Sequence, residues 1–402
     1  MSKTRRYDYF GNFSEGLTWV RNGYKFGFID KTGCEVIPCK YDYADLFCDG
    51  LAFVRKGYKW GFIDKTGREV TPFKYSDSYA RRILGKAHIA PGGFRDGLAC
   101  VKAGYDHGFI DKTGCEVIPC SFADAWSFSE GLARVRIDYT YGYIDTAGQE
   151  VIPCFFNDAD SFHEGMAKVK LDGQWGYIDK TGRQVVPCKY EGAKEFHEGL
   201  ARVYADRKWG FVDRTGREII PCRYDGAEDF HEGLAFVEID GKGGFIDKSG
   251  REVIPMLYDC NSSFFEDGLA RVGVDGRNVY IDKTGKELTP RRYDRIWFFV
   301  EGLACVEADG KWGFIDKTGR EVVPCKYDDV HNFHEGMALV EVHEWRGRLE
   351  YRKYGFVDKT GREVVPCIYD DADFFFDGLA RVSTYHSHGY LDMTGEMVLS
   401  FD

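Results

Sequence analysis

The chain has 402 residues, 44% of them hydrophobic and 16% aromatic, enough apolar material for an extensive core. A formal net charge of −11 argues against a general phosphate-binding surface, which needs clustered Lys and Arg, so nucleic acid is not expected as a partner. No apolar run approaches the roughly 18 residues of a membrane helix, and the opening Met1-Ser-Lys-Thr-Arg-Arg-Tyr-Asp lacks the apolar stretch of a secretory signal.

The 13 cysteines are odd in number and none sits in a close C-x-x-C pair. Together with the missing signal, this leads us to expect free thiols and a cytoplasmic location, with no membrane contact.

After a six-residue leader, 1–6, one motif sets the frame of the chain. Gly-Phe-Ile-Asp-Lys-Thr-Gly or a close variant opens at Gly27, Gly61, Gly108, Gly142, Gly176, Gly210, Gly244, Gly313, Gly355 and Gly389, with Val279 in the first place of an eleventh copy. Most neighbours are 34 residues apart, as Gly27 and Gly61 are, and the run is read as one continuous array over 7–401.

Between Gly61 and Gly108 the spacing lengthens to 47 residues. The extra segment, near 75–93, is basic in an acidic protein and carries Arg81, Arg82 and Lys86. Insertions into repeat arrays map to loops and often to a binding face.

Copy six, Tyr190 to Pro221, is well preserved and reads as four short extended segments. Ala193–Phe196 comes first, then the turn His197-Glu198-Gly199. Leu200–Tyr204 alternates large apolar with small or polar residues, the pattern of a half-buried strand. Lys208–Asp213 follows, and Arg214-Thr215-Gly216 suits a three-residue hairpin loop closed by a glycine at positive φ. In Glu218-Ile-Ile-Pro221 the proline, having no N–H, is expected to end pairing. No helical apolar period is present, so each copy is expected to be an antiparallel meander.

Copy nine opens with a basic and aromatic cluster, Arg291, Arg292, Arg295 and Trp297. Between Gly313 and Gly355 the spacing is 42 residues, and the insertion near 342–353 reads as a longer hairpin with Trp345, Arg346, Arg348 and Arg352. Arg and Trp are enriched among interface hot spots, which makes these residues the candidate binding set.

Trp60-Gly61, Trp175-Gly176, Trp209-Gly210 and Trp312-Gly313, each followed by Phe/Tyr-Ile/Val-Asp, resemble the WG-repeat (Trp-Gly, or KWG) family of bacterial tandem β-repeats. The resemblance spans nearly the whole chain. Copies depart from it where the Trp place holds Phe26, His107, Tyr141, Gly243, Asn278, Tyr354 or His388. It implies a repeat scaffold and brings no common catalytic activity. The fold class expected is all-β, eleven antiparallel meanders of about 34 residues in an open, solenoid-like superhelix, with a closed propeller-like ring as the alternative. Propellers commonly have roughly 4–8 blades, fewer than the copies here.

Two local patterns invite a chemical reading. Cys120, Cys154, Cys188 and Cys222 recur every 34 residues, with Cys39, Cys325 and Cys367 in the same place. Face-to-face units lie roughly 10 Å apart, too far to share one ion, so these thiols are read as core packing and no metal or cofactor is expected. His163-Glu164, His197-Glu198, His231-Glu232 and His334-Glu335 pair imidazole with carboxylate, but the acid persists where the His does not. An acid before a turn glycine can serve backbone N–H groups, a structural task.

No Ser-His-Asp order, nucleophile elbow, P-loop or zinc-protease motif is present, so an enzyme is not expected. The function expected is a scaffold binding a protein partner with acidic segments at the basic insertions and inter-repeat grooves. A carbohydrate-binding or cell-surface array is the alternative, and self-association through terminal sheet edges is open.

Overall fold

A computed structural model of the chain describes residues 7–74, 94–259, 264–289, 293–346, 349–385 and 387–401. Among them there is no helix; the strands form eleven separate antiparallel sheets, one for each copy, each paired in chain order. Eight sheets have four strands, and no sheet closes on itself. The chain divides into two compact units: Met1–Gly93 with Pro290–Asp402, holding copies one, two, nine, ten and eleven, and Phe94–Thr289, holding copies three to eight.

Copy six shows how the sequence makes the sheet. Its strands are Gly192–His197, Leu200–Ala205, Lys208–Asp213 and Glu218–Tyr224. The expected loop after Asp213 is present: the Asp213 carboxylate accepts from the Thr215 N–H and hydroxyl at 2.9 and 2.6 Å and from the Arg217 N–H at 3.0 Å, and Gly216 has φ +85°.

The last strand does not stop at Pro221. Pairing shifts from Phe211↔Ile220 to Trp209↔Tyr224, so a bulge carries the proline past a position where no N–H is needed. This bulge presses on the glycine of the Trp-Gly pair. A Cβ on Gly210 would lie 2.6 Å from the Cys222 nitrogen and 2.6 Å from the Ile220 carbonyl oxygen. Backbone contact, not turn geometry, explains that glycine.

The strand Leu200–Ala205 is buried on both faces rather than one. Leu200 joins Phe211, Ile220 and Tyr224 in a cluster with Phe230, Val237 and Ile246 of copy seven. Ala201 and Val203 join a cluster with Tyr177, Val186 and Tyr190 of copy five. Alternation therefore assigns successive side chains to the two neighbouring sheets, and the small Ala face permits close stacking. Within this unit one ring contact recurs: Tyr143–Phe162, Tyr177–Phe196 and Phe211–Phe230 all have centroids 4.9 Å apart.

In the other unit the same contacts join copies one and two, nine and ten, and ten and eleven; they also join copy eleven to copy one. Tyr390 lies 5.0 Å from Phe13, and Phe10 stacks on Phe401 at 4.3 Å. The Tyr390 hydroxyl donates to the Gly11 carbonyl at 2.7 Å, as Tyr143 does to Asp160 at 2.6 Å. Within this unit, copy eleven and copy one are therefore packed as neighbours.

Candidate functional site

The second strand of each copy reads Leu/Met-Ala/Thr-x-Val. In nine copies x is long or bulky, as in Trp19, Phe53, Arg134, Lys168, Arg202 and Phe236; in two it is a cysteine, Cys100 and Cys305. In copies two and five this side chain sits beside the Trp of the Trp-Gly pair. The Phe53 ring stacks on Trp60 at 4.8 Å, and Lys168 Nζ lies 4.7 Å from the Trp175 centroid. Arg202 makes a fork to Asp229 at 2.7 and 3.0 Å and donates to the Ala227 carbonyl of the next copy.

Cys305 is too short to fill that space. A cavity of about 240 Å³ remains between copies nine and ten, lined by Trp297, Cys305, Trp312, Asp329, Val330, His331 and Asn332. The two indoles meet edge to face at 6.2 Å, and Trp297 is 50% exposed. Cys305 Sγ lies 3.3 Å from Asn332 Oδ1. Burial, and then the Asp329 carboxylate, push the thiol up to about 12, so it is neutral at physiological pH.

The residues expected to bind fall in different places. Arg81, Arg82, Lys86, Arg291, Arg292 and Arg348 lie outside the described residues. Trp345 and Arg346 end the strand Met337–Arg346, which with Leu349–Asp358 forms the expected long hairpin. Arg352 stands opposite His343 and reaches Glu341 at 3.5 Å. Arg295 pairs with Glu307 of its own copy at 3.2 Å. Among the described residues of the expected set, Trp297 alone lines the groove. Trp312, Cys305 and Asn332 were passed over, although the Cys in a column of large residues was a readable sign.

Another feature went unread. The hairpin tips of five copies carry Tyr24, Tyr58, Tyr105, Tyr139 and Tyr385, each 88–93% exposed.

The His-Glu turns perform the structural task expected of them. Glu164 and Gly165 both have positive φ, 51° and 79°, a conformation that costs a non-glycine residue roughly 1 kcal/mol. The Glu164 carboxylate offsets this by accepting the N–H groups of Glu198 and Gly199 in the next copy at 2.8 and 2.9 Å, and it meets Arg214 at 2.5 Å. Burial raises its pKa, but Arg214 and these N–H groups outweigh it and hold the carboxyl low.

The imidazoles stack along the same edge, His163–His197 at 5.2 Å and His197–His231 at 5.8 Å. Equivalent groups are thus nearer here than the roughly 10 Å face spacing assumed from the sequence. The sheets lean together where each acid reaches its neighbour's backbone.

The recurring cysteines point at backbone: Cys154, Cys188 and Cys222 lie 4.0, 3.8 and 3.7 Å from the carbonyls of Val135, Val169 and Val203. Among the described residues no group of three His, Cys, Asp or Glu side chains is placed to hold a metal ion.

A family profile described as WG containing repeat matches residues 4–26, 26–60, 60–80, 108–141, 141–175, 175–209, 209–242, 244–277, 280–312, 312–344 and 354–384. The chain belongs to the WG containing repeat family. No curated protein matches it.

Among solved structures, a eukaryotic initiation factor is 10% identical, with 96% of this chain and 97% of that one covered and a TM-score of 0.43. The tricorn protease is 11% identical, with 94% and 46% covered and a TM-score of 0.25. Hsv2p of Kluyveromyces lactis is 9% identical, with 75% and 92% covered and a TM-score of 0.29. At these scores nothing about this WG-repeat chain is argued from them.

Proposed function

We propose that this WG-repeat protein is a non-enzymatic scaffold that binds a protein partner, with the groove between copies nine and ten as its principal contact. The observation carrying this reading is the pair Trp297 and Trp312 in the cavity that Cys305 also lines. A half-exposed indole lining a preformed cavity has the form of an anchor pocket, where a few aromatic residues dominate binding energy. The hairpin with Trp345, Arg346, Arg348 and Arg352, and the basic residues Arg81, Arg82, Lys86, Arg291, Arg292 and Arg295, extend the proposed contact toward a partner with acidic segments. Twelve cysteines without disulfides among the described residues suit the cytoplasm as its compartment.

The test is capture from the native host, read by mass spectrometry, with wild type, Trp297→Ala and an Arg346, Arg348, Arg352→Ser variant. A captured partner is then purified and its affinity measured. Trp297→Ala is expected to weaken that affinity at least about tenfold. The triple variant is expected to slow association, most visibly at low salt. Equal partner lists and affinities for all three proteins would remove the reading, and a glycan as the only retained ligand would replace it with the carbohydrate array.

A further inference from the structure

The groove at copy nine has a filled counterpart in the same chain. In copy four, Trp126 and Tyr141 occupy the frame positions of Trp297 and Trp312, with centroids 5.8 Å apart against 6.2 Å. Arg134 runs between them, its guanidinium carbon 3.8 Å from the Trp126 centroid and 5.7 Å from that of Tyr141. Its Nη1 donates to the Ala159 carbonyl of copy five and lies 3.3 Å from Asp160 Oδ1. The side chain is only 12% exposed. In copy nine the residue at the place of Arg134 is Cys305: Arg134 pairs with Tyr143, and Cys305 with the equivalent Phe314.

We propose that the groove between copies nine and ten receives an arginine side chain from a partner protein, which supplies in trans the guanidinium that copies four and six carry themselves. This rests on the scaffold reading and names the chemistry of its partner at this site.

The lining suits that occupant. An indole face attracts a cation, and the planar guanidinium stacks on it with less loss of hydration than an ammonium, as Arg134 does on Trp126. Val330 holds the frame position of Ala159 and Ala227, whose carbonyls accept from Arg134 and Arg202. Among the lining groups, Asp329 supplies a carboxylate and Asn332 Oδ1 a neutral acceptor, which lies beside Cys305 Sγ. The site departs from its filled counterparts in two respects: copy six has Lys194 at the place of Trp297, and the acids differ. His331 and Asn332 stand where copy seven has Glu228 and Asp229, the acids that meet Arg202. The groove therefore holds an arginine with fewer charges around it, as suits a reversible contact.

The test uses the full-length protein and a defined probe. N-acetyl-arginine methylamide is titrated while tryptophan fluorescence and indole NMR signals are followed, with Trp297→Phe and Trp312→Phe assigning the signals. The uncharged isostere N-acetyl-citrulline methylamide is the control. The arginine probe is expected to shift both signals and to bind at least about tenfold more tightly than citrulline. Cys305→Arg is expected to fill the groove from within, abolishing probe binding and raising the melting temperature; Cys305→Ala keeps the site.

Should Cys305→Arg fail to fold, Asp329→Asn carries the test, weakening the arginine probe several-fold and leaving citrulline unchanged. Equal binding of the two probes, arginine binding that persists in Cys305→Arg, or a methyl glycoside shifting the indole signals where arginine does not, would each overturn the proposal. Loss of arginine binding with Trp297-dependent partner capture intact would sink this inference alone. Arginine binding with no groove-dependent partner would support the cation site and sink the scaffold reading.

Discussion

Asp377 of copy eleven accepts the backbone N–H of Gly16 in copy one at 2.7 Å, across 361 positions of sequence. Lys31 completes the contact, its Nζ 3.0 Å from the same carboxylate. This is the clamp that joins sequential copies: Glu130 accepts from Gly165 at 3.0 Å and pairs with Lys180 at 3.0 Å, and Glu198 does the same with Gly233 and Lys248. The terminal copies are thus held as neighbours, by the acid and glycine that the repeat places at that turn in every copy.

Removing the seam clamp should therefore resemble removing an internal one. Asp377→Ala and Glu164→Ala are each expected to lower stability by about 1 kcal/mol, the value of a charge-assisted hydrogen bond after discounting for partial exposure. Denaturant unfolding with both variants checks this. A measurable loss for Glu164→Ala with none for Asp377→Ala would mean that the seam is not formed in solution.

The clamps and turn aspartates also fix the pH response. Glu198, Glu232 and Glu301 are raised by burial, but Lys248, Lys283 and Lys359 and the accepted N–H groups outweigh it and bring them below their usual value. Asp247 is held at about 2, first by the Ser249 hydroxyl; Asp64 reaches about 2 because the Thr66 and Arg68 contacts exceed its burial. A folded pKa below the unfolded one contributes stability that is present above the unfolded value, roughly 4, and is lost as pH falls through the folded value. Many copies share this sign, so the melting temperature should fall steeply between about pH 4 and pH 2. A flat profile across that window would contradict the clamp arrangement.

The thiols should behave as packing groups. Cys188 is raised by burial more than Gln184 and the backbone lower it, and Cys367 is pushed up to about 12, again chiefly by burial. Under native conditions, alkylation is expected to reach the exposed Cys34 and Cys115 first and Cys305 and Cys367 last. Cys188→Ala should cost about 1 kcal/mol, and a chelator should leave the melting temperature unchanged. Stoichiometric zinc in the purified protein would refute this.

Gly210→Ala also changes a single side-chain heavy atom, with a larger expected cost. The added methyl would meet main-chain atoms of Ile220 and Cys222 that belong to the bulge and cannot rotate away. A loss of about 3 kcal/mol is expected, at the upper end of overpacking penalties. A thermal shift of less than a few degrees relative to wild type would show that the bulge relaxes more readily than this geometry allows.

The amino-acid sequence determined the repeat, the meander, the limits of the first three strands of copy six to within one residue, and the structural use of the turn acids. These rest on local chemistry: alternation in Leu200–Tyr204, the Asp-x-Thr-Gly loop, and an acid beside a glycine at every copy. Two local readings failed for want of a neighbour. Pro221 did not end its strand, because the bulge opposite Gly210 absorbs it. Leu200–Tyr204 was not half-buried, because copy five covers its Ala201 face and copy seven packs on Leu200. Only the tertiary structure decided that copy eleven abuts copy one, since no period in a chain says whether the rise and rotation per copy bring its ends together. It alone decided the groove as well. Cys305 is an ordinary small residue in sequence, and lines a groove only because Trp297, Trp312 and the next copy stand around the volume that Arg134 fills elsewhere.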